Sequence, residues 1–199
     1  MIESFFSKNK ALVIVLVIIL FLAGYGVSAY NRFIVLDQQI NGKWSEVENQ
    51  YQRQADLIPN LISVVSSAVG VETKLLQRVT EARSKWQDAK GLFEKDAAGL
   101  EMNNGVAALI TAVATAENYP RLEANKQYVA LTDELSGTQN RITVARGRYI
   151  ESIQMFNTAV SKFPSNFFAK VFGFSGKEYY KAELSSLTTP KVGEGKLPQ

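Results

Sequence analysis

The side chains that most often carry out nucleophilic catalysis or bind transition metals are missing from this protein: its 199 residues include no histidine and no cysteine. This absence excludes a Ser-His-Asp triad, a Cys-His nucleophile, an HExxH metalloprotease and a cysteine- or histidine-based zinc site. The remaining candidates for acid–base chemistry are two acidic pairs, Glu46/Glu48 and Asp133/Glu134. Neighbouring residues in a helix point about 100° apart, and the sequence shows no apolar pocket that would raise a carboxyl pKa. We therefore predict a protein that is not an enzyme, with no catalytic, cofactor-binding or metal-binding residues and no cofactor.

The basic residues favour structural ion pairs over a binding site. The net charge is +3, too small for the concentrated positive field of a nucleic-acid-binding domain, so we predict no nucleic-acid partner. Arg53 and Asp56 are three residues apart and can form a local or an interhelical salt bridge. Arg141, Arg146 and Arg148 could line a groove for an anionic partner or lipid headgroup, but ion pairs across a bundle are the commoner outcome.

Residues 11–30 are the predicted membrane anchor. The stretch from Ala11 to Asn31 carries no charge, and a helix needs about 20 apolar residues to cross a hydrocarbon core of about 30 Å. The competing interpretation is a cleaved signal peptide, with Val-Ser-Ala at residues 27–29 as its cleavage site. Because Phe33, Leu36 and Ile40 continue a helical pattern without a linker, we favour an uncleaved anchor that follows a short flank at residues 1–10.

Charges beside the anchor predict its orientation. Lys8 and Lys10 precede the anchor, and Arg32 and Lys43 are the only basic residues in the 20 that follow it. When the N-terminal amino group is counted with Lys8 and Lys10, the N-terminal flank has one more positive charge than the other side. The positive-inside rule therefore favours a cytoplasmic N-terminus. We therefore expect the rest of the chain on the exported, periplasmic side.

Apolar residues after the anchor recur with the period of a helix that buries one stripe, with a mean spacing of about 3.6 residues. They are Phe33, Leu36, Ile40, Trp44, Val47, Tyr51, Ala55, Ile58, Ile62, Val65 and Val69. Pro59 falls inside this stripe, so we expect either a kinked helix or a new helix with Asp56 as its N-cap.

Two further helical regions complete the predicted fold. One follows a turn at Gly70 and is interrupted at residues 91–105, where three glycines and Asn103-Asn104 indicate a surface insertion. The other runs from about residue 121 to 163, after a stop at residues 118–120. No segment alternates with period two. We predict an all-α fold, in which an N-terminal transmembrane helix runs into an antiparallel bundle of three to four long helices. The bundle domain is predicted at residues 31–184, followed by a flexible tail at 185–199.

The segment at residues 163–180 contains more aromatic side chains than a simple bundle explains. The candidate interaction residues are Phe167, Phe168, Phe172 and Phe174. One interpretation is a short hairpin that folds back on its own bundle. The other is a docking patch for another subunit or a membrane partner, since an exposed apolar patch usually marks an interface.

Several motifs resemble the LemA family. The most specific are DLIPNL at residues 56–61 and FPSN at residues 163–166, and the similarity extends from about Tyr30 to Phe174. Supporting matches include Trp44-Ser45, Val79-Thr80-Glu81-Ala82-Arg83, Tyr119-Pro120 and Asn140-Arg141-Ile142. This chain has Val71-Glu72 where the family often has His-Glu, and Tyr149-Ile150 where it often has Tyr-Asn.

The resemblance implies a single-pass protein of the bacterial cytoplasmic (inner) membrane with a helical-bundle domain and no established enzymatic activity. Together with the sequence, it favours a membrane-anchored, non-enzymatic scaffold or adaptor of the envelope that acts through protein–protein contacts. Its expected partners are the lipid bilayer, through residues 11–30, and membrane or envelope proteins. The alternatives are a structural homo-oligomer that forms a ring or lattice and, less favoured, a carboxylate-dependent envelope enzyme.

Overall fold

A computed structural model describes residues 10–67, 73–115 and 125–179, which form five helices and no strand. The helices are α1 (Lys10–Ser66), α2 (Thr73–Asp88), α3 (Leu92–Thr115), α4 (Lys126–Ser161) and α5 (Ser165–Val171). The all-α fold with a long apolar N-terminal helix is as the sequence predicts. The turn expected at Gly70, the stop at residues 118–120 and the tail at 185–199 lie outside the described residues.

Helix α1 joins the predicted anchor to the bundle without a break. Its first half, where it is apolar on every side, is exposed from Leu12 to Leu22 except at Val13, which is partly exposed. Its second half buries the predicted stripe from Phe33 to Val65, with Leu36 and Ile62 partly buried at its edge, and Val69 lies outside the described residues. Pro59 lies inside this one helix, so the prediction of a new helix capped by Asp56 is wrong. Packing along the stripe outweighs the loss of one backbone hydrogen bond.

Helix α4 packs antiparallel along α1. Its N-terminus is capped by Asn125, whose side-chain oxygen accepts hydrogen bonds from the backbone N–H groups of Gln127 and Tyr128 at 2.9 and 3.3 Å. Its buried side has a helical spacing and consists of Tyr128, Leu135, Thr138, Ile142, Ala145, Tyr149, Ser152, Ile153, Phe156, Ala159 and Val160. The rings of Trp44 and Tyr149 meet at 5.4 Å between centroids. The predicted long helix near residues 121–163 is therefore confirmed over residues 126–161.

Helices α2 and α3 form a hairpin on the half of α1 that is far from the anchor. Gly91 makes the turn between them with a φ of 84°, a left-handed conformation that favours glycine. The surface insertion predicted at residues 91–105 is wrong, because Leu92–Thr115 is one helix in which Met102 and Val106 are fully buried. Gly99 lies directly against the ring of Tyr51 and Gly105 packs on Val79, so these glycines lie in contacts between helices and do not mark a loop.

The chain after α4 descends along the anchor and then returns. Helix α5 follows Pro164, and Gly173, with a φ of 76°, reverses the direction of the chain. The backbone N–H of Phe174 donates to the carbonyl of Ala169 at 2.8 Å, which closes this turn. Residues 174–179 then run back beside α1 and α4. This arrangement places the aromatic segment where the anchor meets the bundle.

Candidate functional site

Helix α5 packs on the end of the predicted anchor through Phe168. The ring of Phe168 lies 5.4 Å from that of Tyr25, measured between centroids. A Cβ atom built on Gly26 would stand 2.9 Å from Cε1 of Phe168, which is closer than carbon atoms pack. Glycine at position 26 therefore gives α5 its docking surface on α1.

The returning segment adds Phe172 and Phe174 to the same cluster. Phe172 meets the ring of Tyr30 edge-on at 5.2 Å. Phe174 lies 5.2 Å from Phe33 and 6.4 Å from Phe156, so it is held between α1 and α4. Tilted and edge-to-face aromatic pairs at these separations each contribute about 0.5–1.5 kcal/mol beyond burial.

Polar contacts fix this segment at both ends. The hydroxyls of Tyr25 and Ser165 share a hydrogen bond of 3.0 Å. Near its other end, the backbone N–H of Lys177 donates to Asn157 Oδ1 at 2.7 Å, and Asn157 Nδ2 donates to the Lys177 carbonyl at 2.8 Å. The Lys177 ammonium group also pairs with Asp37. The segment is thus a folded part of the domain.

The four predicted interaction residues therefore have different environments. Phe168 and Phe174 are partly buried against the core, and Phe172, although exposed, contacts Tyr30. Phe167 touches Phe168 and otherwise faces outward, with 64% of its surface exposed. Three of the four, all except Phe167, contact the long helices of their own chain, as the fold-back interpretation expects. A contact of any of the four with another subunit stays a prediction.

A second surface is the open groove between α1 and α4, with a volume of about 410 Å³. It is lined by Glu46, Asn49, Gln50, Asn140, Arg141, Val144, Ala145 and Arg148. The carboxylate of Glu46 pairs with Lys43 and lies 4.0 Å from the Arg148 guanidinium. The amide oxygen of Gln50 is buried and accepts no hydrogen bond within the described part of the chain. The groove thus contains apolar side chains, acidic and basic side chains, and an amide oxygen that can accept a hydrogen bond.

Beside this groove, Glu134 links the two long helices. Its Oε1 accepts hydrogen bonds from Arg53 of α1 at 2.9 Å and from Arg141 of α4 at 2.6 Å. Burial alone would raise the pKa of Glu134, but the two guanidinium groups outweigh it and hold the pKa below its ordinary value. A general acid near neutral pH needs a raised carboxyl pKa, so Glu134 is unsuited to that role. Arg53 pairs with Glu134, and Asp56 accepts from Gln52 instead.

A buried carboxylate that the sequence did not single out joins α3 to α4. Asp96 is 2% exposed and its Oδ2 lies 3.1 Å from the Arg146 guanidinium. Burial raises the pKa of the neighbouring Tyr149 hydroxyl, and the negative charge of Asp96 raises it further. A buried carboxylate paired with an arginine is a common structural ion pair, and we assign this role to Asp96 and Arg146. In residues 10–67, 73–115 and 125–179 no group of three or more acidic side chains could hold a metal ion.

Only α1 is long and apolar enough to cross a membrane, among the helices in the described ranges. Its residues 12–22 are exposed or partly exposed in the folded chain. Such an apolar stretch, with its backbone groups paired within the helix, is stable in lipid and costly in water.

The sequence is similar to one protein family and to three named proteins. A family model described as the LemA family matches residues 43–193. Magnetosome protein MamQ of Magnetospirillum gryphiswaldense is 24% identical over 195 residues, which cover 85% of this chain and 72% of that protein. Magnetosome proteins MamQ 1 and MamQ 2 of Paramagnetospirillum magneticum show the same identity, 24%, and the same coverage, 85% and 72%.

Proposed function

Because this chain belongs to the LemA family, we propose that it is a membrane-anchored, non-enzymatic scaffold or adaptor that acts through protein–protein contacts. Neither the name of the family nor the names of the similar proteins refer to a catalysed reaction. They support a membrane-associated, non-catalytic role. The partners, the assembly state and the side of the membrane are our proposal.

The observation that carries this proposal is the continuity of α1. One helix of 57 residues contains both the apolar stretch and the buried stripe of the bundle. From Tyr30 to Ser66 it rises about 54 Å at 1.5 Å per residue. Because its stripe is locked against α4 and the α2–α3 hairpin, the bundle is held rigidly outside the bilayer. This architecture presents a long side surface to other proteins at a fixed distance from the membrane.

We propose that the groove between α1 and α4 is the contact surface of the bundle. Val144 is 54% exposed at its edge, and Gln50 offers its buried amide oxygen to a donor on the partner. Glu46 on one wall faces Arg148 on the other, so a partner segment with both charges and one apolar side chain would match it. A self-assembling ring or lattice would use a second copy of this chain in the same place.

Site-specific photo-crosslinking in cells tests the groove. A photoreactive phenylalanine analogue is placed at Val144 in the full chain, and the control carries it at Ile150. Ile150 is also exposed but lies about 120° away around α4 and does not line the groove. We expect a discrete cross-linked protein from position 144 and much less from position 150.

Mass spectrometry of the cross-linked band separates the alternatives. A different membrane or envelope protein supports the adaptor, and a second copy of this chain supports the structural homo-oligomer. Equal cross-linking from both positions would contradict the groove as the contact surface.

Labelling in spheroplasts tests the proposed placement of the bundle on the exported side of the cytoplasmic membrane. Because the chain has no cysteine, Val129→Cys provides a single thiol at an exposed site on α4. A membrane-impermeant maleimide should label it in intact spheroplasts. Labelling only after lysis would place the bundle in the cytoplasm.

A further inference from the structure

The turn after α4 and helix α5 expose an apolar face that the proposed protein contacts do not use. Phe163, Phe167 and Val171 are 82%, 64% and 63% exposed. They follow one another at intervals of four residues, and Phe167 and Val171 lie on the same face of α5. Large contiguous apolar patches are rare on protein surfaces that face water. Something other than water is therefore expected to cover this face.

The depth of α5 along the anchor indicates what covers it. The contacts of Phe168 with Tyr25 and Gly26 and of Ser165 with Tyr25 fix α5 beside these residues. Gly26 precedes Arg32, the first charged residue after the uncharged stretch, by six positions. At 1.5 Å per residue this places α5 about 9 Å toward the membrane centre from Arg32. Interfacial helices bury their apolar side to about 5–10 Å below the headgroup boundary.

The polar groups around α5 suit the same position. Between Lys162 and Lys177 the chain contains one further lysine, Lys170, and no acidic residue. Lys162 and Lys170 are exposed, and long basic side chains reach upward from such a depth to anionic lipid headgroups. The hydroxyls of Tyr25 and Ser165 bond to each other, which lowers the cost of placing them away from water.

We propose that the face formed by Phe163, Phe167 and Val171 is a lipid-binding site, embedded in the leaflet from which the bundle emerges. The occupant is the acyl-chain and headgroup boundary of that leaflet, with anionic headgroups beside Lys162 and Lys170. The protein then holds the leaflet at two points, the spanning part of α1 and the neighbouring α5. Because α5 is joined to α4 and packs on α1, this second point fixes the tilt of the bundle relative to the membrane.

Depth-dependent quenching of a fluorescent label tests this proposal on the full chain. The label is attached to Phe167→Cys, the only thiol in that variant because the sequence has none. The protein is reconstituted at one copy per nanodisc in phosphatidylcholine with phosphatidylglycerol, with or without nitroxide groups on the acyl chains. The control, Val129→Cys, carries an exposed thiol near the start of α4, about 50 Å from the end of α4 that adjoins α5.

We expect lipid nitroxides to quench the label at position 167 several-fold more than the label at position 129, and aqueous iodide to show the opposite order. Because Phe167 is mostly exposed, its replacement should leave the melting temperature near that of the parent, which verifies folding. Iodide quenching at position 167 equal to that at 129 would overturn the proposal by placing α5 in water. Protection from both quenchers would also overturn it, by showing that protein covers the face. Neither result depends on the groove or its partner.

Discussion

Replacing Gly99 with alanine is expected to destabilise the bundle, although alanine is the better helix former. Gly99 lies inside α3, directly against the ring of Tyr51 on α1. A Cβ atom there would stand 2.7–2.8 Å from three ring atoms, whereas carbon atoms pack at about 3.5–4.0 Å. Tyr51 is fully buried, so its ring cannot swing aside and the helices must separate by about 0.8 Å or more, the shortfall from the packing distance.

The size of the effect follows from two opposing contributions. Overpacking a core by one carbon lowers the free energy of unfolding by about 1–3 kcal/mol. Exchanging glycine for alanine in a helix raises it by about 1 kcal/mol. Gly147 is the matched control, because it lies inside α4 with no atom within 4 Å of its added Cβ. Gly147→Ala should therefore gain about 1 kcal/mol. The two variants should differ by the overpacking cost, about 1–3 kcal/mol.

Thermal unfolding of the full chain in detergent, followed by circular dichroism, measures this difference. In a protein of this size 1 kcal/mol shifts Tm by about 2–4 °C. Gly99→Ala should melt several degrees below Gly147→Ala, and at or below the parent. If both variants melted equally above the parent, the close packing of α3 on Tyr51 would be refuted, and with it the corrected description of residues 91–105.

Further predictions concern the core, the acid dependence and the aromatic segment. Ile142→Asp should unfold the bundle at a much lower temperature than Thr143→Asp, because position 142 is buried and position 143 is exposed. Substitutions at exposed positions usually change the free energy of unfolding by no more than about 0.5 kcal/mol. Equal melting temperatures would refute the assignment of the buried face. The lowered pKa of Glu134 stabilises the fold above the ordinary glutamate value of about 4.3, and this stabilisation is lost as the pH falls through the folded-state pKa. The melting temperature of Glu134→Gln should therefore depend less on pH below about 4 than that of the parent. Identical pH profiles would refute the contribution of the Glu134 carboxylate to stability. Replacing Phe168 and Phe172 with serine should lower the melting temperature without changing the mass measured by light scattering, since both rings pack on α1; a loss of assembly at an unchanged melting temperature would show that they dock on another subunit.

The sequence predicts α1 and α4 well because each buries one continuous stripe. The spacing from Phe33 to Val65 follows the helical period, and residues of that stripe are buried or packed at the edge of the core. The same pattern carries the helix through Pro59, where local preference alone suggests a break. Periodicity therefore outweighs a single unfavourable residue when the packing partner is long.

The first part of helix α3, residues 92–105, escaped prediction because the residues that disrupt its pattern are the ones in contact with other helices. Gly99 allows close approach to Tyr51, Gly105 packs on Val79, and Asn103 accepts a hydrogen bond from Gln54 at 2.9 Å. In sequence these residues are typical of a loop. Their role depends on partners about 25 to 50 residues away, which local patterns do not reveal.

The candidate sites were predictable only in part. The number of aromatic residues after Phe163 indicates that the C-terminal segment packs on something, and folding back on its own bundle is one of the two interpretations of that pattern. Its position on the anchor depends on Gly26 and Tyr25, whose spacing within an apolar stretch gives no such signal. Asp96 was missed for a similar reason, since its partner Arg146 lies 50 residues further along the chain.

The anchored bundle is proposed to work by binding other proteins. Chemical cross-linking of the full chain in its native membrane, followed by mass measurement of the purified product, tests this most directly. The proposed adaptor predicts discrete complexes that contain this chain and a second protein, and a ladder of copies of this chain would point to the ring or lattice instead. A product with the mass of a single chain would contradict both.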